Sequence, residues 1–277
     1  MALVTTQWLS ENKHNVKIID CSWHLPNTHR VGYFEYSKEH IPSAIYFDID
    51  KYSDQNSKLP HMLPNKERWE EIMSSIGISN KDKVVVYDNS EVLSSCRLWY
   101  TFLYFGHNKN LIYVLDGGLD KWKKDYNHTT NKINSLNKTN YTATENKVMV
   151  KNISQIKENI IHEKFKIIDG RSKDRFEGKA EEPRKGLKKG SIKNSVCLPY
   201  NNVINKDKTF KTKKELKDIF ENITEDIYKN NIVFSCGSGI TSCVLALAYS
   251  LINNNYNPTI YDGSWAEYGR IDNEKNN

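Results

Sequence analysis

The chain has 277 residues, enough for two domains of about 100 to 150 residues each. Its 38% hydrophobic and 27% charged residues are those of a globular protein and exclude global disorder. A net charge of +6 is spread along the chain with no nucleic-acid motif, no apolar run reaches the length of a membrane span, and the opening residues lack the basic and apolar regions of a secretory signal. The five cysteines, Cys21, Cys96, Cys197, Cys236 and Cys243, are scattered and form no Cys-x-x-Cys pair, which reads as free thiols in a reducing compartment. The expectation is a cytoplasmic protein, with mitochondrial entry left open, and no nucleic-acid or membrane partner.

In chain order, "KIIDCSW" (17–23), "HIPSAIYF" (40–47) and "KVVVYD" (83–88) read as short strands, with a helix at "KERWEEIMSSIGI" (66–78) and the turn "VLDGG" at 114–118. A polar stretch without period, 128–148, follows. The same series then recurs as "KIIDGRS" (166–172), "SIKNSVCL" (191–198), a helix at "KKELKDIFENI" (213–223), "NIVFSC" (231–236) and "IYDGS" (260–264). All four strand and turn matches are separated by close to half the chain, so the sequence carries two copies of one domain. Strands alternating with helices imply an α/β fold with a mostly parallel sheet in each copy. The predicted organisation is an N-terminal domain at 1–127, a linker at 128–148 and a C-terminal domain at 149–277.

Ligands of such sheets sit beyond the carboxyl ends of the strands, and Cys236 stands at one of those ends, inside "VFSCGSGITSCVLALA". A helix N-terminus and a curled run of amides attract anions, and a thiolate is an anion. Gly237 and Gly239 let the backbone turn its N–H groups inward. Ser238 and Thr241 add hydroxyl donors, and Thr241 or Ser242 is placed to cap the following helix. Cys236 is therefore the candidate nucleophile, with a lowered pKa; Cys243, two turns into the helix, reads as a small core residue.

"CGSGITS" (236–242) resembles the active-site loop of the 3-mercaptopyruvate sulfurtransferases, two-domain members of the rhodanese superfamily. Counterparts follow in order across nearly the whole chain in "WLSENKHNVKIIDCSWHLP", "EHIPSAIYFDID", "HMLP", "LDGG", "DGRSKDRFEGKAEEPRKG" and "YDGSWAEY". The resemblance implies two tandem rhodanese-like domains, the first catalytically silent, with Asp88 where the second has Cys236. It implies that Arg175 and Arg184 hold the carboxylate and carbonyl of 3-mercaptopyruvate, a task suited to planar guanidinium groups. Gly237, Gly239, Ile240 and Thr241 would line the same site, and Asp50, His61 and Ser238 would form a proton relay. Cys236 would take sulfur as a persulfide, release pyruvate, and pass the sulfur to a thiol acceptor, thioredoxin, or to cyanide, with no cofactor and no metal.

Thiosulfate enzymes of the same fold carry basic residues directly after the cysteine and generally lack the second arginine. Gly237, Ser238 and Arg184 thus favour a keto acid, and thiosulfate transfer is the alternative. A phosphatase of the Cys-x5-Arg type would need an arginine where Ser242 stands. A non-catalytic sulfur-carrier module would not need the full set of Cys236, Ser238, Arg175, Arg184, His61 and Asp50. A redox pair of Cys236 with Cys243 would have to span roughly 10 Å of helix, beyond disulfide reach. Ser242 departs from the family's small alanine, Ser191 and Lys193 stand where histidine and proline are common, and Gly170 replaces an alanine.

Overall fold

Parallel strands buried on both faces should be continuous apolar runs, and the two four-residue runs VVVY and IVFS are buried throughout. In the computed structural model, which describes residues 2–126, 128–225, 229 and 231–271, each run is the middle strand of its own five-stranded parallel sheet. The first sheet comprises β1 (Leu3–Val4), β2 (Lys17–Asp20), β3 (Ile45–Tyr46), β4 (Val84–Tyr87) and β5 (Ile112–Leu115), in the order β1-β5-β4-β2-β3. The second comprises β6 (Val150–Lys151), β7 (Lys166–Asp169), β8 (Val196–Cys197), β9 (Ile232–Ser235) and β10 (Ile260–Tyr261), in the order β6-β10-β9-β7-β8. The repeated KIID runs hold equivalent places: Ile19 pairs with Val86 of β4, and Ile168 with Phe234 of β9. The α/β fold and the duplication read from the sequence are both present.

The chain divides into two compact units. The first takes in residues 2–55, 63–146 and 206–210; the second takes in 56–62, 147–205 and the described residues from 211 onward. The domain ends placed at residues 1, 127 and 277 lie outside the described residues. Residues 128–146 form no helix or strand but are tied into the first unit: Thr130 exchanges backbone hydrogen bonds with His40, and Thr139 donates to the carbonyl of Ser74. Tyr141 and Ala143 are buried there.

Both expected helices form and stop early. The first runs Lys66–Ser75 behind an Asn65 cap and ends where Gly77 takes a φ of +79°, the left-handed turn that closes helices. The second runs Lys213–Glu221 behind a capping box of Thr212 and Glu215. One core of the first unit gathers Leu9, Ile18, Val85, Leu115 and Trp122; its counterpart in the second gathers Ile156, Ile167, Val233, Tyr261 and Trp265. Among the described residues no helix is long and apolar enough to cross a membrane. All five cysteines are free thiols.

Candidate active site

Strand β9 delivers Cys236 to its carboxyl end, and the helix Ser242–Ile252 begins after the loop Gly237–Thr241. The loop is clamped from behind by the segment after β10. Trp265 N–H donates to the Cys236 carbonyl at 3.0 Å, Ala266 N–H to the Gly237 carbonyl at 2.9 Å, and Cys236 N–H to Ser264 Oγ at 3.2 Å. Gly239 adopts φ +81°, a conformation that costs other residues strain. This bend turns the loop amides toward the sulfur.

Cys236 is 1% exposed. Burial alone would push its thiol up, but the Thr241 hydroxyl, the Ser238 amide, and the hydroxyl and amide of Ser242 outweigh it and hold the thiol below its ordinary 9.0. Donors to the charged form stabilise the thiolate. The expected hydroxyl caps are absent: Thr241 occupies the N-cap without a side-chain cap hydrogen bond, because its hydroxyl serves the sulfur instead. Cys243 is a core residue, fully buried, its Sγ 3.3 Å from the Gly239 carbonyl. Ile240 buries its side chain, which leaves its backbone for the loop.

Ser238 reaches the sulfur through its amide, while its hydroxyl lies 3.1 Å from Nδ1 of His61, whose ring is also 3.2 Å from the Ser238 carbonyl. The carbonyl can only accept, so a neutral His61 with its proton on Nδ1 donates to both oxygens and leaves the Ser238 hydroxyl hydrogen unused by the ring. With Nδ1 bare, Ser238 donates to it. The two arrangements differ in the tautomer of His61, and the Ser238 carbonyl favours the one with the proton on Nδ1. His61 is 5% exposed and sits at φ +59°. Asp50 belongs to the first unit, where its Oδ2 accepts from the Trp23 indole at 2.8 Å.

Arg175 stands on the helical turn Lys173–Phe176, and a Cβ added at Gly237 would meet its Nη2 at 3.2 Å. A side chain larger than glycine's at 237 would therefore crowd the guanidinium at the rim of the loop. Arg175 is held from the other side by Glu182, which accepts from Nη2 at 2.5 Å and Nε at 3.3 Å. Glu182 also accepts from the buried Arg171 at 2.7 Å, and Arg171 makes a bidentate pair with Asp169 while stacking on Trp265. Burial pushes the Asp169 carboxyl up even against this guanidinium. Arg184 lines a cavity of about 520 Å³ together with Lys58, Lys185 and Arg270. Ala266, whose amide bonds the cysteine loop, lines it too.

The first unit repeats the loop with a different occupant. Asp88 follows β4, and its carboxylate accepts from the Ser90 amide and the Ser95 amide, each at 2.8 Å, and from the Ser95 hydroxyl. Burial raises its pKa all the same. Donors that face the sulfur in the second unit face a built-in carboxylate here. That loop has no thiol at its centre.

Residues 5–125 and 152–270 each match the rhodanese-like domain. The chain belongs to the rhodanese family. Its relatives include the Arabidopsis thaliana protein named thiosulfate/3-mercaptopyruvate sulfurtransferase 1, mitochondrial, 37% identical over 96% of this chain and 75% of that one. Human 3-mercaptopyruvate sulfurtransferase is 34% identical over 96% of this rhodanese-family chain and 91% of its own. The crystal structure of SseA, a 3-mercaptopyruvate sulfotransferase of Escherichia coli, matches with a TM-score of 0.84 at 30% identity, covering 96% of this chain and all of that one.

The structure therefore brings Cys236, Ser238, His61 and Arg175 around one loop, with Arg184 in the adjoining cavity. Two groups of this rhodanese-family site were not assigned from sequence. Glu182 was unremarkable because Glu181 beside it is the same residue type, yet Glu181 is mostly exposed and pairs with Lys189. Ser264 was passed over as part of a turn; its φ of +48° and buried hydroxyl become visible only in three dimensions.

Proposed function

We propose that this rhodanese-family protein is a 3-mercaptopyruvate sulfurtransferase whose sulfur is carried on Cys236. The observation that carries the reading is the placement of a buried Cys236 at the carboxyl end of β9, in a loop bent at Gly239 and held by Trp265 and Ala266, with His61 against Ser238 and Arg175 at the rim of the same loop. The names of the relatives, at 34% and 37% identity over nearly the whole chain, support the reaction class.

Arg175 and Arg184 hold the carboxylate and carbonyl of mercaptopyruvate, and the Cys236 thiolate attacks the substrate sulfur. A sulfur–sulfur bond forms, the carbon–sulfur bond breaks, and its electron pair moves into the enolate of pyruvate. Arginine contacts that strengthen as charge gathers on the carbonyl oxygen lower the barrier. The proton of the substrate thiol passes through Ser238 and His61 to the enolate carbon, so pyruvate leaves and Cys236 keeps a deprotonated persulfide. Asp50 enters this relay by resemblance alone. An acceptor thiol, for which thioredoxin is our assignment, attacks the outer sulfur, takes it as its own persulfide, and returns Cys236 to the thiolate. No cofactor takes part in these steps.

The second reading is thiosulfate as donor, favoured by the double name of the Arabidopsis relative. Gly237 and Ser238 put no cation directly after the cysteine, which suits a monocarboxylate better than a small dianion. Comparing kcat/KM for the two donors decides between them, with mercaptopyruvate expected to be preferred. Cys236→Ser should abolish pyruvate release while leaving the melting temperature near that of the parent. Retained turnover would remove Cys236 from the mechanism.

A further inference from the structure

A guanidinium offers a carboxylate two forks, one from Nε and Nη2 and one from its two Nη atoms. At Arg175 the first fork is taken: Glu182 accepts from Nη2 at 2.5 Å and from Nε at 3.3 Å, and the guanidinium makes no other hydrogen bond among the described residues. The Arg175 side chain stays 23% exposed, whereas that of Glu182 is only 2% exposed. Glu182 is itself fixed. Its Oε1 accepts from Nη1 of the buried Arg171 at 2.7 Å, and Nη2 of Arg171 donates to Asp169 and to the Gly190 carbonyl. Asp169 ends β7 opposite Ser235 of β9, the residue before Cys236. Charge-assisted bonds therefore run from the strand paired with β9, through Asp169, Arg171 and Glu182, to an arginine that lies against Gly237, the residue after Cys236.

The first unit uses the arginine at its own loop differently. Arg30 gives Nε and Nη2 to Glu35 at 2.6 and 2.7 Å, and its Nη2 also donates to the carbonyl of Asn89, the residue after Asp88. In the second unit the carbonyl in that place, Gly237, accepts from the Ala266 amide instead. Arg30 is spent on its loop, while Arg175 keeps the edge of Nη1 and Nη2 for a ligand.

We propose that Glu182 is a positioning residue: by occupying one fork of Arg175 it presents the other, Nη1 with Nη2, to the carboxylate of the sulfur donor, in register with Cys236. This role rests on the proposed mercaptopyruvate reaction, in which Arg175 binds the donor. Two effects of removing Glu182 have opposite signs. Its negative charge opposes an incoming anion, so a purely electrostatic role would tighten binding on its loss. Loss of aim weakens binding, and only while Arg175 is there to be aimed.

The test is a double-mutant cycle on pyruvate release from mercaptopyruvate, with kcat/KM read as the slope at low donor concentration. Glu182→Gln should raise KM about tenfold with kcat changed less, and should change kcat/KM by less than about twofold once Arg175 is replaced by alanine. Glu182→Asp keeps the charge beside Arg171 but is one methylene too short to span both guanidinium groups; it should show the same pattern, and serves if Glu182→Gln does not fold. A merely structural role would lower kcat/KM equally in both backgrounds. That equal loss, or a KM that falls or stays parental, would overturn the role of Glu182 alone. A parent chain that releases no pyruvate from mercaptopyruvate would contradict the proposed function and this role with it.

Discussion

Arg175 is already engaged by a carboxylate. Glu182 grips two of its nitrogens and, through Arg171, ties the guanidinium to Asp169 at the end of β7. A fork fixed in this way loses little freedom on binding a carboxylate, but much of its charge is balanced before the substrate arrives. Arg184, in the basic cavity with Lys58, Lys185 and Arg270, is then the group whose removal should weaken binding most. Arg184→Ala is expected to raise KM for mercaptopyruvate by about tenfold or more, with kcat changed far less and the melting temperature held. Steady-state kinetics beside a thermal melt check this, and an unchanged KM would take Arg184 out of the site. Both arginines were singled out by family resemblance, in "DRFEG" and "EEPRKG". The carboxylate that aims one of them was not, since Glu181 and Glu182 differ only in which way the chain faces them.

Within the element formed by β9, the loop and the helix Ser242–Ile252, geometry is set by one residue more than by any other. Gly239 at φ +81° is the bend that turns the amides inward. Gly239→Ala should cost about 1 kcal/mol of stability, the usual strain of a Cβ in the left-handed region, and should lower kcat/KM more than tenfold by opening the ring around the sulfur. A variant with parental kcat/KM would show that the ring does not depend on this bend. The strand, the glycines and the helix were readable from the order of residue types. The direction of the hydroxyls was not, because a serine or threonine at a helix start looks like a cap in sequence, and here Thr241 makes no side-chain cap and the Ser242 hydroxyl is buried without a hydrogen-bond partner among the described residues.

Across the whole molecule, the duplication accounts for the architecture, two five-stranded sheets of equivalent strand order. Equivalent strands, the KIID runs among them, and equivalent turns were visible as repeats near half the chain, because strand sequences buried on both faces tolerate few alternatives; the shared strand order was not. The behaviour of 128–146 was less visible. A polar stretch without period says nothing about which backbone groups it will satisfy, and Thr130 and Thr139 satisfy groups of the first unit. The two loops follow equivalent strands, but Asp88 fills one with a carboxylate bonded by the Ser90 and Ser95 amides, while the other begins with the Cys236 thiol. The most direct measurement is mass spectrometry of the peptides after the full chain has reacted with 3-mercaptopyruvate and no acceptor. The peptide carrying Cys236 should gain the mass of one sulfur atom, in step with one pyruvate released per chain, and the peptides carrying Cys21, Cys96, Cys197 and Cys243 alone should gain none. Pyruvate release with an unmodified Cys236, or sulfur retained on another cysteine, would contradict the account.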